Sequence, residues 1–381
     1  MESFPNVAAM LSALSPREPV YCIHPRVYQS AAREFIEKFP GRVLYAVKAN
    51  NEPTIVSLLR KYGISDFDCA SLDEISLVKR VRPDAKCYFM NPVRIRGAAR
   101  EAQRTFGVRH FMIDDPSGLQ PLVDEINTAH AVVFVRMAVS HHSAAENLSA
   151  KFGARPEDVP GMLAAVADTG AEAALAFNVG SGVRSPDAYL HAIGVAAEVL
   201  DRSRAEIRLL DIGGGFPRSY PGYEVPPLNE FFAAIREARK TLPLADGGEL
   251  MAEPGRALSA PGLSAVAQVL LRKNDRIYIN DGMYGALWEL RCNGQNRYAV
   301  NTFRGTKPLD GDNQTFRVFG PTCDASDCLP EPLELPADID VGDYIEFESV
   351  GAYSLSGRTD FNGHFSEQLV LIEGRGQAPE D

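Results

Sequence analysis

Lys48 lies near the end of an apolar run, Arg42-Val43-Leu44-Tyr45-Ala46-Val47-Lys48-Ala49-Asn50, that has no helical period and is soon followed by Pro53. Such a run reads as a buried strand with a lysine at its carboxyl end. A lysine in that place can simply mark where a strand meets water. Over a low-dielectric floor, however, its amine becomes a nucleophile that can carry a Schiff base to pyridoxal phosphate. That chemistry needs donors for a phosphate, a partner for a pyridine nitrogen and a proton donor.

The chain offers residues of each kind. Gly213-Gly214-Gly215 follows an apolar strand, where glycines let backbone N–H groups close on a phosphate. The spacing is not G-x-G-x-x-G, and Pro217 interrupts the helix start that a dinucleotide site requires. Gly180-Ser181-Gly182 and Gly255-Arg256 end the strands on either side, so three strand ends could converge on one anion. Glu253 closes a buried strand just before Pro254. It is either a strand-end carboxylate, solvated or paired with Arg256, or the group that keeps a pyridine nitrogen protonated and favours quinonoid chemistry. Cys323, in Gly320-Pro321-Thr322-Cys323-Asp324, is either a small core residue or a loop thiol able to donate a proton across a subunit boundary. Tyr353 is a half-buried aromatic whose phenol could reach a phosphate.

The elements that must position these residues alternate. Strand-like runs at Val43–Lys48, Asp66–Ala70, Lys86–Asn91, His110–Asp114, Ala131–Met137, Ala174–Val179, Ile207–Ile212 and Glu249–Glu253 are separated by helix-period stretches such as Thr54–Lys61, Ile75–Val81, Val159–Asp168 and Leu228–Leu242. Eight such repeats predict an α/β fold, a TIM-type (β/α)8 barrel over 26–260. Past Pro261 short alternating runs predict an all-β domain over 261–381, and the strand at Pro19–Ile23 predicts that segment 1–25 joins it. With 39 Lys and Arg against 50 Asp and Glu, the net charge of -11 argues against nucleic acid or an acidic membrane as the main partner. No stretch approaches the roughly 20 apolar residues of a membrane span. The six cysteines form no CxxC pair, which with the N-terminal sequence predicts a reduced, cytoplasmic protein. No metal site is expected.

Nine motifs, in order along almost the whole chain, resemble the ornithine decarboxylase family. They are Tyr45-Ala46-Val47-Lys48, Phe67-Asp68-Cys69-Ala70-Ser71, Lys151-Phe152-Gly153, Val179-Gly180-Ser181-Gly182, Leu210-Asp211-Ile212-Gly213-Gly214-Gly215-Phe216-Pro217, Glu253-Pro254-Gly255-Arg256, Asp281-Gly282-Met283-Tyr284-Gly285, Gly320-Pro321-Thr322-Cys323-Asp324 and Phe361-Asn362-Gly363. The resemblance implies a barrel plus β-domain decarboxylase of ornithine, lysine, arginine or diaminopimelate that uses pyridoxal 5'-phosphate and, in its ornithine form, serves polyamine biosynthesis. It makes Lys48 the Schiff-base lysine and Glu253 the partner of the pyridine nitrogen. Ser181, Gly213, Gly214, Gly215, Gly255, Arg256 and Tyr353 match the phosphate cradle, and Asp68, Arg136 and Glu74 match the polar surround. Cys323, as proton donor, and Asp324, toward the substrate side chain, match the pair lent by a second subunit. A head-to-tail homodimer with two shared sites follows.

Two departures bear on the substrate. Asn178 stands where the family places a histidine against the cofactor ring. Asn293 stands where the ornithine enzymes carry an aspartate for the distal ammonium, and nearby Arg291 could receive a carboxylate or phosphate instead. The expected reaction is α-decarboxylation of an ornithine- or lysine-type amino acid. The alternatives are a carboxylate-bearing diamino-acid conjugate of a natural-product pathway, a racemase and an inactive decarboxylase-like regulator. Glu253 speaks against the racemase, whose ring nitrogen usually meets an arginine. Arginine is disfavoured as substrate because the arginine enzymes of the family are usually longer.

Overall fold

The computed structural model describes residues 1–139, 141, 148–292 and 298–374. The chain divides into two units, one of 32–218 and 225–257, the other of 1–31, 219–224 and 258–381.

The first unit is a closed barrel of eight parallel strands: Arg42–Ala46, Asp66–Cys69, Lys86–Phe89, His110–Ile113, Val132–Met137, Glu172–Phe177, Leu209–Asp211 and Glu249–Ala252. The last strand pairs back on the first through Met251–Arg42 and Ala252–Val43. Its interior is filled, not hollow: Leu44, Tyr88, Met90, Met112, Phe134, Ala174, Ala176 and Met251 form one buried cluster. At the amino ends of the strands Arg42 donates to the Tyr88 hydroxyl at 2.8 Å, Tyr88 donates to Asp66 at 2.8 Å, and Arg42 pairs with Glu249. This network satisfies the charges at that end and leaves the carboxyl ends for chemistry.

Several strands end earlier than the apolar pattern predicts. The first stops at Ala46, and Lys48 lies in a single 3-10 turn, Val47–Ala49, fixed by the Tyr45 hydroxyl donating to the Asn50 carbonyl at 2.9 Å. The sixth runs over Glu172–Phe177 rather than Ala174–Val179. It opens on an exposed glutamate, which an apolar pattern does not count, and it ends where the Asn178 side chain accepts the Gly180 N–H at 3.0 Å.

The second unit holds a ten-stranded sheet. Val20–Ile23 pairs antiparallel with Leu263–Lys273 and parallel with Leu369–Ile372. The helix Val7–Leu14, which the sequence pattern does not single out, packs Val7, Met10 and Leu11 into a core with Val20, Val266, Phe303 and Ile372. Among the described residues no helix is long and apolar enough to cross a membrane.

Phe134 is fully buried inside the barrel. Phe134→Ala should therefore cost about 3–5 kcal/mol, read as a lower urea midpoint with an unchanged slope. A loss below about 1 kcal/mol would mean that the interior relaxes around the gap.

Candidate active site

The carboxyl ends of the strands gather Lys48, Asp68, Glu74, Asp211 and Glu253. Lys48 Nζ donates to Asp68 Oδ2 at 2.7 Å, with the lysine side chain 45% exposed and the aspartate 1%. The pair therefore joins a reachable amine to a buried charge. Glu74 arrives on the next helix through a capping arrangement: the Ser71 hydroxyl accepts the Glu74 N–H at 3.2 Å while the Glu74 carboxylate accepts the Ala70 N–H at 2.7 Å. Burial, followed by the charge of Asp68, raises the Glu74 pKa to about 7, against the opposing effects of the Ala70 N–H and Lys48. Glu253 follows the last strand and is buried; desolvation, Asp211 and Asp68 hold its pKa well above the usual range.

Three strand-end turns meet beside these groups. Gly213 donates to Asp211 Oδ1 at 2.8 Å, and its carbonyl accepts the Glu253 N–H at 2.8 Å. The Gly215 carbonyl accepts the Val183 N–H at 3.0 Å, joining this turn to Gly180-Ser181-Gly182. A Cβ on Gly213, Gly214 or Gly215 would come within 2.5 Å of the Phe177 carbonyl oxygen, 2.7 Å of that of Glu253 or 2.6 Å of that of Gly180. Gly213 and Gly215 also have φ of +70° and +100°. The backing is aromatic: Phe216 is stacked on Tyr189 at 5.0 Å and edge-on to Phe35 at 5.4 Å, and the Tyr189 hydroxyl donates to the Gly214 carbonyl at 2.8 Å. Arg256 is buried just after Gly255. Arg136 lies on the fifth strand with its guanidinium 5.4 Å from the Phe152 ring centroid.

The second unit carries the other residues singled out above. Cys323 is exposed, and its N–H donates to Asn362 Oδ1 at 3.1 Å. The Asp324 carboxylate accepts from the Tyr284 hydroxyl and from Ser326 through its N–H at 2.9 Å and its hydroxyl at 2.8 Å. Those donors, Tyr284 first, hold Asp324 down at about 2. Arg291 places its guanidinium 4.4 Å from the centroid of the Tyr284 ring, which also stacks on Phe361 at 4.7 Å. Tyr353 is half-buried with a left-handed φ of +56°. Asn293 lies outside the described residues.

The pyridoxal-dependent decarboxylase pyridoxal-binding domain matches residues 26–260, and the C-terminal sheet domain of the same enzymes matches 261–351. The chain belongs to the pyridoxal-dependent decarboxylases. It is 31% identical over 352 residues to the lysine/ornithine decarboxylase of Selenomonas ruminantium, covering 87% of this chain and 83% of that one. It is 30% identical over 353 residues to the ornithine decarboxylase of Saccharomyces cerevisiae, covering 84% and 73%. The solved lysine/ornithine decarboxylase of Vibrio vulnificus complexed with putrescine superposes with a TM-score of 0.84 at 26% identity, covering 98% of this chain and all of that one. The Paramecium bursaria Chlorella virus arginine decarboxylase bound to agmatine superposes with a TM-score of 0.84 at 25% identity, over 96% and 99%. A member that acts on arginine therefore has this length, and length no longer separates arginine from the other basic substrates.

This decarboxylase uses pyridoxal phosphate and acts on a small amino-acid substrate. The barrel mouth fits the cofactor in two respects: Glu253 presents a buried carboxyl whose Oε1 receives no N–H or O–H from the described residues, and the glycine turn leaves no room for a Cβ. Two residues that sequence reasoning assigned no role stand out. Asp211 accepts the Gly213 N–H and lies next to Glu253 through the strand register, and the Tyr284 hydroxyl donates to Asp324; each was visible only as a member of a motif.

A raised carboxyl pKa makes folding less favourable as pH rises, because the native state keeps a proton that the unfolded chain has lost. Glu74 should thus cost on the order of 2–3 kcal/mol between about pH 4.5 and 7 and no more above that window. Glu74→Gln keeps an acceptor for the Ala70 N–H and should flatten the decline in urea midpoint over this window. A slope identical to the wild type's would show that Glu74 ionises at its ordinary pH.

Proposed function

We propose that the protein decarboxylates a basic amino acid of the ornithine or lysine type to an amine and CO2, with Lys48 as the Schiff-base residue. The observation that carries this reading is the reachable Lys48 amine held on the buried Asp68 carboxylate beside the buried acid Glu253. When bound, the cofactor supplies an electron-accepting ring. Glu253 would hold the ring nitrogen, and Asp68, Arg136 and Asn178 would surround the ring and Lys48. Ser181, Gly213, Gly214, Gly215, Gly255, Arg256 and Tyr353 would bind the phosphate. Asn178 cannot stack as a histidine would, and its side-chain oxygen is already engaged by the Gly180 N–H.

In this reading the barrel spans 26–260, the β domain spans 261–381 together with 1–25, and a homodimer in the cytoplasm shares two sites. Cys323 would return a proton to the substrate bound in the partner's barrel; its exposure supports that role. Lys48→Ala and Cys323→Ala subunits, each inactive alone, should recover activity when mixed. About half of a random mixture is heterodimer with one intact site of two, so roughly a quarter of wild-type activity is the ceiling. No recovery after confirmed subunit exchange would remove Cys323 from a shared site.

One observation favours a second reading, a carboxylate-bearing diamino-acid conjugate as substrate. Asp324 already accepts three hydrogen bonds from its own chain, while the exposed Arg291 guanidinium rests on Tyr284 beside it. A charge-assisted contact is worth roughly ten- to a hundredfold in specificity. Arg291→Ala should cost that factor on a substrate with a distal carboxylate and spare ornithine and lysine. Efficient turnover of ornithine or lysine, with no substrate affected by Arg291→Ala, would leave the first reading alone.

A further inference from the structure

Asp211 has no part in the reading above, yet it is wholly buried at the end of the seventh barrel strand. Its Oδ1 accepts the Gly213 N–H at 2.8 Å, and its Oδ2 receives no N–H or O–H from the described residues. Glu253 is brought beside it by the register that pairs Met251 with Asp211 and by its own N–H donating to the Gly213 carbonyl at 2.8 Å. Glu253 is 8% exposed, and its Oε1 also lacks a donor. Each carboxyl thus keeps a buried oxygen without a donor among the described residues, next to the other acid, and burial, followed by the Asp211 charge, pushes the Glu253 pKa up. Two carboxyls can hydrogen-bond only by sharing a proton, and two adjacent negative charges without water cannot both persist. The other charges facing the pair are Asp68, which favours keeping the proton, and Lys48, which opposes it.

We propose that Asp211 is a positioning residue that takes the shared proton whenever Glu253 is ionised, so that Glu253 faces the cofactor's ring nitrogen as a singly charged acceptor. This rests on Glu253 being the nitrogen's partner. With nothing at Glu253, the Gly213 N–H favours an ionised Asp211 and leaves the proton on Glu253. Facing a protonated ring nitrogen, the negative charge belongs on Glu253. The O–H bond at Glu253 then breaks, one forms at Asp211, and the pair carries one negative charge throughout. No proton has to leave the buried site. The same Asp211 side chain holds Gly213, so the phosphate turn and the ring-nitrogen partner are set by one residue.

Asparagine is the chemical mimic of a protonated Asp211. Its carbonyl oxygen can accept the Gly213 N–H and its amide can donate to Glu253. The experiment measures the affinity of cofactor-free protein for pyridoxal phosphate and the absorption spectrum of the bound cofactor, with thermal unfolding of each variant as a control. Asp211→Asn should bind within about threefold of wild type with the same spectrum, whereas Asp211→Ala, which loses both contacts, should bind at least about tenfold more weakly. Glu253→Gln should change both affinity and spectrum. Asp211→Asn binding about tenfold more weakly than wild type, whether or not the alanine variant folds, overturns the proposal, as does Asp211→Ala behaving like wild type. If Glu253→Gln leaves affinity and spectrum unchanged, the Glu253 assignment itself fails and takes the proposal with it.

Discussion

The barrel mouth buries more negative charge than Lys48 can offset. Asp68, Asp211 and Glu253 are all nearly closed to solvent, Glu74 stands at the next helix start, and Lys48 pairs with Asp68. Ionising every acid in such a site would be prohibitive, so protonation has to be divided among them. The division follows the hydrogen bonds. Asp68 accepts from the lysine, burial raises both Asp211 and Glu253 toward their protonated forms, and Glu74 is neutral for part of the physiological range. The amine that could do chemistry is thus held in place by a charge that solvent barely screens.

Backbone geometry rather than side chains determines where these acids stand. Gly213 donates to one member of the carboxyl pair and accepts from the N–H of the other, while the whole turn rests on Phe216 and Tyr189. A side chain at Gly214 would collide with the Glu253 carbonyl, so the glycine turn packs its backbone directly on that of Glu253. An aromatic layer behind a glycine turn gives rigidity to a segment that glycine alone would leave loose.

The β domain follows different physics. Its cluster of Arg291, Tyr284, Asp324 and Phe361 is partly exposed, so charge is managed by contact and stacking rather than by withheld protons. Tyr284 is the hinge of that cluster: its hydroxyl engages the carboxylate and its ring face carries the guanidinium. An Asp324 held this way is a weaker claimant for a distal ammonium than a free carboxylate would be.

Strand and helix alternation, with its functional residues gathered after apolar runs, was legible in the residue types alone, because a barrel strand buried on both faces needs an unbroken apolar run and catalytic groups need the end of it. Lys48, Glu253, the glycine triplet and Cys323 were legible as candidates for the same reason: each is chemically out of place in its local pattern. Hydrophobicity could not give the 3-10 turn that carries Lys48 or the Glu172 start of the sixth strand, since both depend on hydrogen bonds and a polar strand end. Nor could it give the partnership of Asp211 with Glu253 or of Tyr284 with Asp324, residues 42 and 40 positions apart. Spacing along a chain carries no record of which buried acids will face one another. Only barrel closure and sheet register bring them side by side, and only there does desolvation decide which of them keeps its proton.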